Sequence, residues 1–220
     1  GKDFEQMQQV RRVQGGIALV LVCMVSFYGM AHAKRLYVTD YDVMLQGAGE
    51  DMTVALLADL HLGYSTDPAY IERAVEKIND MQPDLVVIAG DIFDNEYEAV
   101  PEPERIAAAL ASLDSTYGTY ACWGNHDLSE PILAGFTFRN AKKDYDDPRM
   151  RNFLESANIR LLDDETVLID QRFYLTGRKD PSRCRKMSDT RKDPDQLTAC
   201  LDKTLPIIFM DHQPGQLDEV

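Results

Sequence analysis

Leu85-Val-Val-Ile-Ala-Gly90-Asp91-Ile-Phe-Asp94 is the stretch on which the fold turns. Its first five residues are all apolar, and the run stops on a glycine and an aspartate. A strand that is apolar at every position is covered on both faces, as in a sheet sandwiched between other layers. Outward from it, Val54 to Ala58, Thr119 to Trp123 and Leu205 to Met210 repeat the pattern. Between the first two runs, Asp67 reads as a helix cap and Pro68 as the first helical residue, with Ile71, Ala74, Val75 and Ile78 on one stripe. A second helix is expected over 103–113, with Ile106, Leu110 and Leu113 inward, and a third after Asp147-Pro148, with Met150, Phe153, Leu154 and Ala157 apolar. Strand and helix alternate, which predicts a layered α/β domain. Residues 159–177 leave no room for a helix between neighbouring strands, so the sheets are expected to be mixed or doubled. Residues 135–147 and 179–195 are polar or densely charged and read as surface loops.

The chain has 220 residues, 45% hydrophobic and 27% charged, enough for one globular domain plus an attachment. A formal charge of −14 disfavours a nucleic-acid partner gripped through a general basic field. It leaves room for a small anionic substrate, because bound cations reverse the field inside an acidic site. Cys23, Cys122, Cys184 and Cys200 form no C-x-x-C pair; buried thiols are the ordinary reading, with a Cys184–Cys200 bridge as the alternative.

Between Arg12 and Lys34 no residue is formally charged. Some 20 apolar residues of helix, at about 1.5 Å each, cross a hydrocarbon layer of about 30 Å. The expected organisation is a polar flank over 1–14, a transmembrane helix over 15–33, a linker over 34–51 and a catalytic domain over 52–220. A signal peptide cleaved near Ala31-His32-Ala33 and a buried core helix are the alternatives. Arg11-Arg12 and Lys34-Arg35 nearly cancel as orientation signals. The chain opens on Gly1 rather than Met and closes over 213–220 on what reads as the approach to a helix, so it is read as a fragment.

Ligand sites in open α/β sheets lie beyond the carboxyl ends of the strands. The four apolar runs exit into Asp59-Leu-His61, Gly90-Asp91-Ile-Phe-Asp94, Gly124-Asn125-His126-Asp127 and Asp211-His212. Of four histidines in the chain, three sit at these exits. In Asp59-x-His61 the two side chains share one side of an extended strand and can hold one cation together. Gly90 lets the backbone turn sharply and brings the Asp91 carboxylate close enough to bridge two cations. Asn125 and His212 offer an oxygen and a nitrogen to a second ion, a donor mix that suits Mn, Fe or Zn better than Ca. His126 neighbours a ligand and is cast as the group that faces the substrate.

In this order, D-x-H, G-D-x-x-D, G-N-H-D and a later lone His resemble the calcineurin-like metallophosphoesterase family. The apolar segment, with Gly177-Arg178-Lys-Asp180 and Asp211-His-Gln-Pro214, is similar to bacterial membrane-associated members. The resemblance runs from about Val54 to the end and implies hydrolysis of a phosphate ester by a dinuclear metal centre with a bridging hydroxide nucleophile. Carried over, it makes Asp59 and His61 ligands of the first metal, Asp91 the bridge, and Asn125 and His212 ligands of the second. His126 becomes the substrate-facing acid and Asp127 its orienting partner, while Asp94 holds a loop or a ligand in position. Arg178 is a candidate phosphate clamp, the alternative being a surface or salt-bridged arginine. The family closes its site with a later G-H-x-H, absent from this sequence, so weaker metal binding and little activity are expected from these residues alone. The resemblance places the domain on the outer face of the membrane. The rival expectations are a non-catalytic metal-binding membrane scaffold or receptor domain and a hydrolase of lipid-precursor pyrophosphates.

Overall fold

Helix α1 (Lys2–Ala33) is apolar on every face through its second half, and its stretch Gln6–Ala33, with a mean hydropathy of 1.8, is long and apolar enough to cross a membrane. A helix without a polar face suits a buried or lipid setting rather than a water-facing surface. The computed structural model describes residues 2–44, 49–130, 132, 133, 136, 137 and 145–214, and the chain divides into two units, Gly1–Asp42 and Val43–Val220.

The second unit is an α/β fold with mixed sheets flanked by helices. Its first sheet holds β1 (Val54–Leu57), β2 (Leu85–Ala89), β3 (Thr119–Cys122) and β6 (Ile159–Leu161) in that order, all parallel. The second sheet holds β7 (Glu165–Ile169), β8 (Phe173–Gly177) and β9 (Ile207–Met210), antiparallel and then parallel. A small antiparallel pair, β4 (Ile132–Leu133) and β5 (Phe136–Thr137), stands apart. The sheets are thus both doubled and mixed, as the strand spacing over 159–177 predicts.

Helices α2 (Pro68–Asp80), α3 (Pro103–Ala111) and α4 (Pro148–Ser156) connect the parallel strands. Asp67 caps α2 by accepting from the Ala69 amide, and Asp147 caps α4 by accepting from Arg149, in each case with a proline at the first helical turn. One core lies on the helix side of the first sheet, where Ile88, Ile92, Phe93 and Trp123 meet Ile106, Leu110, Phe153 and Leu154. The other fills the space between the sheets, with Leu85, Val87, Cys122, Leu162, Leu175 and Met210. Alternate residues of β2 therefore serve different cores, which is why the strand reads apolar throughout. Each fully buried Leu, Ile or Phe contributes roughly 1.5–3 kcal/mol relative to exposure.

Residues 179–195, expected as a loop, carry α5 (Pro181–Met187) and the approach to α6 (Pro194–Thr198), with Arg183 and Cys184 buried. Asp180 caps α5 from the Ser182 and Arg183 amides, and a capping box of Asp193 and Gln196 opens α6. In the other expected loop, residues 135 and 138–144 lie outside the described residues, as do 215–220 of the stretch read as the approach to a helix. Cys184 is buried and Cys200 exposed, and both are free thiols, so the alternative of a bridge does not hold.

Candidate metal centre

β1, β2 and β3 run parallel, so their carboxyl ends deliver their loops to one edge of the sheet. The loops after β1 and β2 are zipped together there: Asp59 N donates to Gly90 O at 3.1 Å, His61 N to Asp91 O at 3.0 Å, Leu62 N to Ile92 O at 2.8 Å and Asp94 N to Leu62 O at 3.1 Å. This register forces Asp59, His61 and Asp91 into left-handed backbone, with φ of 55°, 43° and 50°. Such conformations cost a non-glycine residue roughly 1–2 kcal/mol each and gather at functional sites.

The side chains converge. His61 Nε2 lies 3.7 Å from both Asp59 Oδ1 and Asp91 Oδ2, and His212 Nε2 lies 3.2 Å from Asp91 Oδ2. His61 Nδ1 faces Asp94 Oδ1 at 3.8 Å, and His126 Nδ1 approaches the same oxygen at 3.9 Å. Two groups of three could each hold an ion, Asp59 with Asp91 and His212, and His61 with Asp94 and His126. The His212 ring is oriented for metal binding, since its Nδ1 donates to Ala89 O at 2.8 Å and leaves the Nε2 lone pair aimed inward. Burial alone would lower the His212 pKa, but the Ala89 carbonyl and the charges of Asp91 and Asp59 outweigh it and raise the pKa.

Two glycines make the approach possible. Gly90 has φ 81°, and a Cβ there would lie 2.7 Å from the His212 ring. A Cβ on Gly124 would overlap the Oδ1 and backbone nitrogen of Asp91, which is 3% exposed and has nowhere to retreat. Gly124→Ala is accordingly expected to cost about 1–3 kcal/mol of stability by overpacking. It should also displace Asp91, which a lowered urea midpoint together with weakened Mn(II) binding would register.

Around this centre the other anticipated residues take definite places. Asp127 does not reach the His126 ring. Its carboxylate accepts from Phe93 N at 2.8 Å and Gly124 N at 2.7 Å, bracing the loop that carries Asn125 and His126. The ring partner is Asn95, whose Nδ2 lies 2.8 Å from His126 Nδ1. Asn125 Oδ1 accepts from Gln213 Nε2 at 2.6 Å, which leaves one of its two lone pairs for another partner. Arg178 is not at the surface: it is 2% exposed and donates to Asp211 Oδ2 at 3.2 Å and to Lys192 O at 3.3 Å. Arg191 binds the same Asp211 oxygen. Arg178 is thus salt-bridged to the residue that precedes His212. Asn95 carries no signal in the sequence pattern, although it directly follows Asp94, and Gln213 lies in the Asp211-His-Gln-Pro214 string without any sign there that it meets Asn125.

Burial pushes the Asp127 carboxyl up to about 6, against the pull of its two amide partners. Asp127 and His212 are both raised, so the folded state holds protons that the unfolded chain releases. The stability they contribute is present at low pH and lost as pH rises through their folded pKa values. The metal-free chain is expected to melt at a lower temperature at about pH 8 than at about pH 5, which calorimetry in a chelator-containing buffer would check.

Residues 52–219 match the calcineurin-like phosphoesterase family model, and the chain belongs to that family. Among its relatives, an uncharacterised metallophosphoesterase of Helicobacter pylori is 28% identical over 195 residues, covering 87% of this chain and 46% of that protein. The UDP-2,3-diacylglucosamine pyrophosphatase LpxG of Chlamydia trachomatis is 24% identical over 199 residues, covering 76% and 58%. A transmembrane protein with metallophosphoesterase domain of Danio rerio is 30% identical over 124 residues, covering 54% and 28%. The chain spans about half the length of the first two of these relatives.

Proposed function

We propose that this chain carries the active site of a membrane-anchored metallophosphoesterase that hydrolyses a phosphate ester with two divalent cations. The observation that carries the reading is the convergence of His61 Nε2, Asp59 Oδ1, Asp91 Oδ2 and His212 Nε2, all within 3.7 Å of a neighbour in the set. Two carboxylates aimed at one point repel each other unless a cation lies between them, and the mixed oxygen and nitrogen donors fit Mn, Fe or Zn. Asp59, His61, Asp91, Asn125 and His212 would hold the ions, with Asp94 behind His61. Bound there, two cations supply an activated water and offset the charge of the phosphate in its transition state. His126 then donates a proton to the leaving oxygen, and Asp127 keeps its loop in place. Helix α1 anchors the domain, on the outer side of the membrane.

A second reading, cleavage of a pyrophosphate in a lipid precursor, is favoured by the likeness to the Chlamydia pyrophosphatase. The full-length protein, loaded with Mn(II), would be assayed in parallel on an aryl phosphate diester and on a nucleoside-diphosphate lipid; the faster substrate decides between the readings. No hydrolysis of either, with metal bound, would leave a non-catalytic scaffold. Metal binding itself is read separately: at about 100 times its Kd, Mn(II) should stabilise the chain by roughly 2.7 kcal/mol. A melting temperature indifferent to Mn(II), Fe(II) and Zn(II) would sink the dinuclear site.

A further inference from the structure

We propose that residues 28–37 form a lipid-binding collar at the end of helix α1, where Tyr28, His32 and Tyr37 sit at the membrane boundary and Lys34 and Arg35 bind the phosphate of an anionic phospholipid. The inference deepens the membrane-anchored reading and rests on α1 crossing the bilayer.

The collar is built by a reversal of the chain. Helix α1 stops at Ala33, and Arg35 N donates to His32 O at 3.0 Å, closing a turn over the helix end. Beyond this turn the chain comes back to the helix: the Tyr37 hydroxyl lies 3.3 Å from His32 Nε2, and the two rings are 5.8 Å apart. Tyr28, one turn earlier on the same face, has its ring 5.7 Å from that of His32. Three rings with polar edges are thus gathered at the end of the uncharged stretch, and both tyrosines are 67% exposed. A ring with an apolar body and a polar tip is at home where hydrocarbon meets headgroups.

The position along the helix agrees. Twenty-one uncharged residues separate Arg12 from Lys34, and at about 1.5 Å each they span a hydrocarbon layer of about 30 Å. The ring group therefore lies at one boundary, and the other end differs from it, since residues 1–14 hold no tyrosine, tryptophan or histidine. Charge selects the lipid. Past the helix, Lys34 and Arg35 are followed by no other lysine or arginine before Arg73, in a chain of formal charge −14. On this side of α1 such a chain is repelled from an anionic surface except where the basic pair meets it. Each basic side chain at a membrane surface strengthens its attraction to anionic lipid by about fivefold.

The full chain, reconstituted in phosphatidylcholine vesicles with a minor share of phosphatidylglycerol, gives two separate depth readings. A bimane on Cys23, with Cys200→Ser removing the other exposed thiol, is expected to be quenched most by lipids spin-labelled deep in the acyl chain. A tryptophan introduced by Tyr37→Trp is expected to be quenched most by lipids spin-labelled near the headgroup. Trp123, the one native tryptophan, is 2% exposed in the core of the second unit and supplies a constant background. Lipid choice is read from the motionally restricted fraction of spin-labelled phosphatidylglycerol against phosphatidylcholine. Lys34→Gln combined with Arg35→Gln should lower that preference by about fivefold or more. Inorganic phosphate should lower it no further than chloride of the same ionic strength, which separates a headgroup site from one for free phosphate. A deep Cys23 with an unquenched Tyr37→Trp, a preference kept by the Lys34/Arg35 double variant, or specific displacement by phosphate overturns the collar while leaving the anchor. An unquenched Cys23 defeats the anchor reading and the collar with it.

Discussion

Asp91→Ala is expected to leave the chain without either divalent ion. One carboxylate serves both halves of the centre: Oδ2 meets His212 Nε2 at 3.2 Å and His61 Nε2 at 3.7 Å, while Oδ1 accepts from His126 N at 2.8 Å. Truncation removes the shared ligand and also strands an amide in a site where Asp91 is almost fully buried. A buried donor left unpaired costs about 1–3 kcal/mol, so the metal-free protein should weaken as well. Asp91→Asn separates the two effects, since its amide oxygen can still accept from His126 N while it loses the charge that holds a cation. Elemental analysis after equilibrium dialysis is the measurement, and two equivalents of metal retained by Asp91→Ala would contradict the assignment.

His126→Ala should have the opposite profile, with turnover lost and metal kept. Proton donation by a positioned side chain contributes about 10²–10⁴-fold, and that is the expected fall in kcat of the full-length enzyme. Metal content should stay constant, because His126 Nδ1 is engaged by Asn95. Loss of one equivalent of metal would instead identify His126 as a ligand within the group it forms with His61 and Asp94.

The parts of the molecule legible in the sequence are those set by local pattern. The run Leu85–Ala89 is a strand at the expected bounds because both of its faces are buried, and Asp67-Pro68 and Asp147-Pro148 start helices where a cap and a proline predict them. Asp180-Pro181 and Asp193-Pro194 carry the same signature, yet the dense charge around them suggested a loop. Cap chemistry was the better guide there, because Arg183 can be charged and buried at once: it donates to Asp127 O at 3.1 Å and lies 5.4 Å from the centre of the Trp123 ring. The candidate ligands were visible because they sit at strand exits. What they touch was not. Asn95 meets His126 across 31 residues, Arg178 meets Asp211 across 33 and Gln213 meets Asn125 across 88, and no spacing rule encodes such pairings.

The left-handed turns at Asp59, His61 and Asp91 set durability against function. Glycine would adopt those angles at little cost, so each of the three positions withholds some folding free energy that a simpler residue would return. Variants selected for heat resistance alone should drift toward glycine there, and would become hardier as they grew chemically mute.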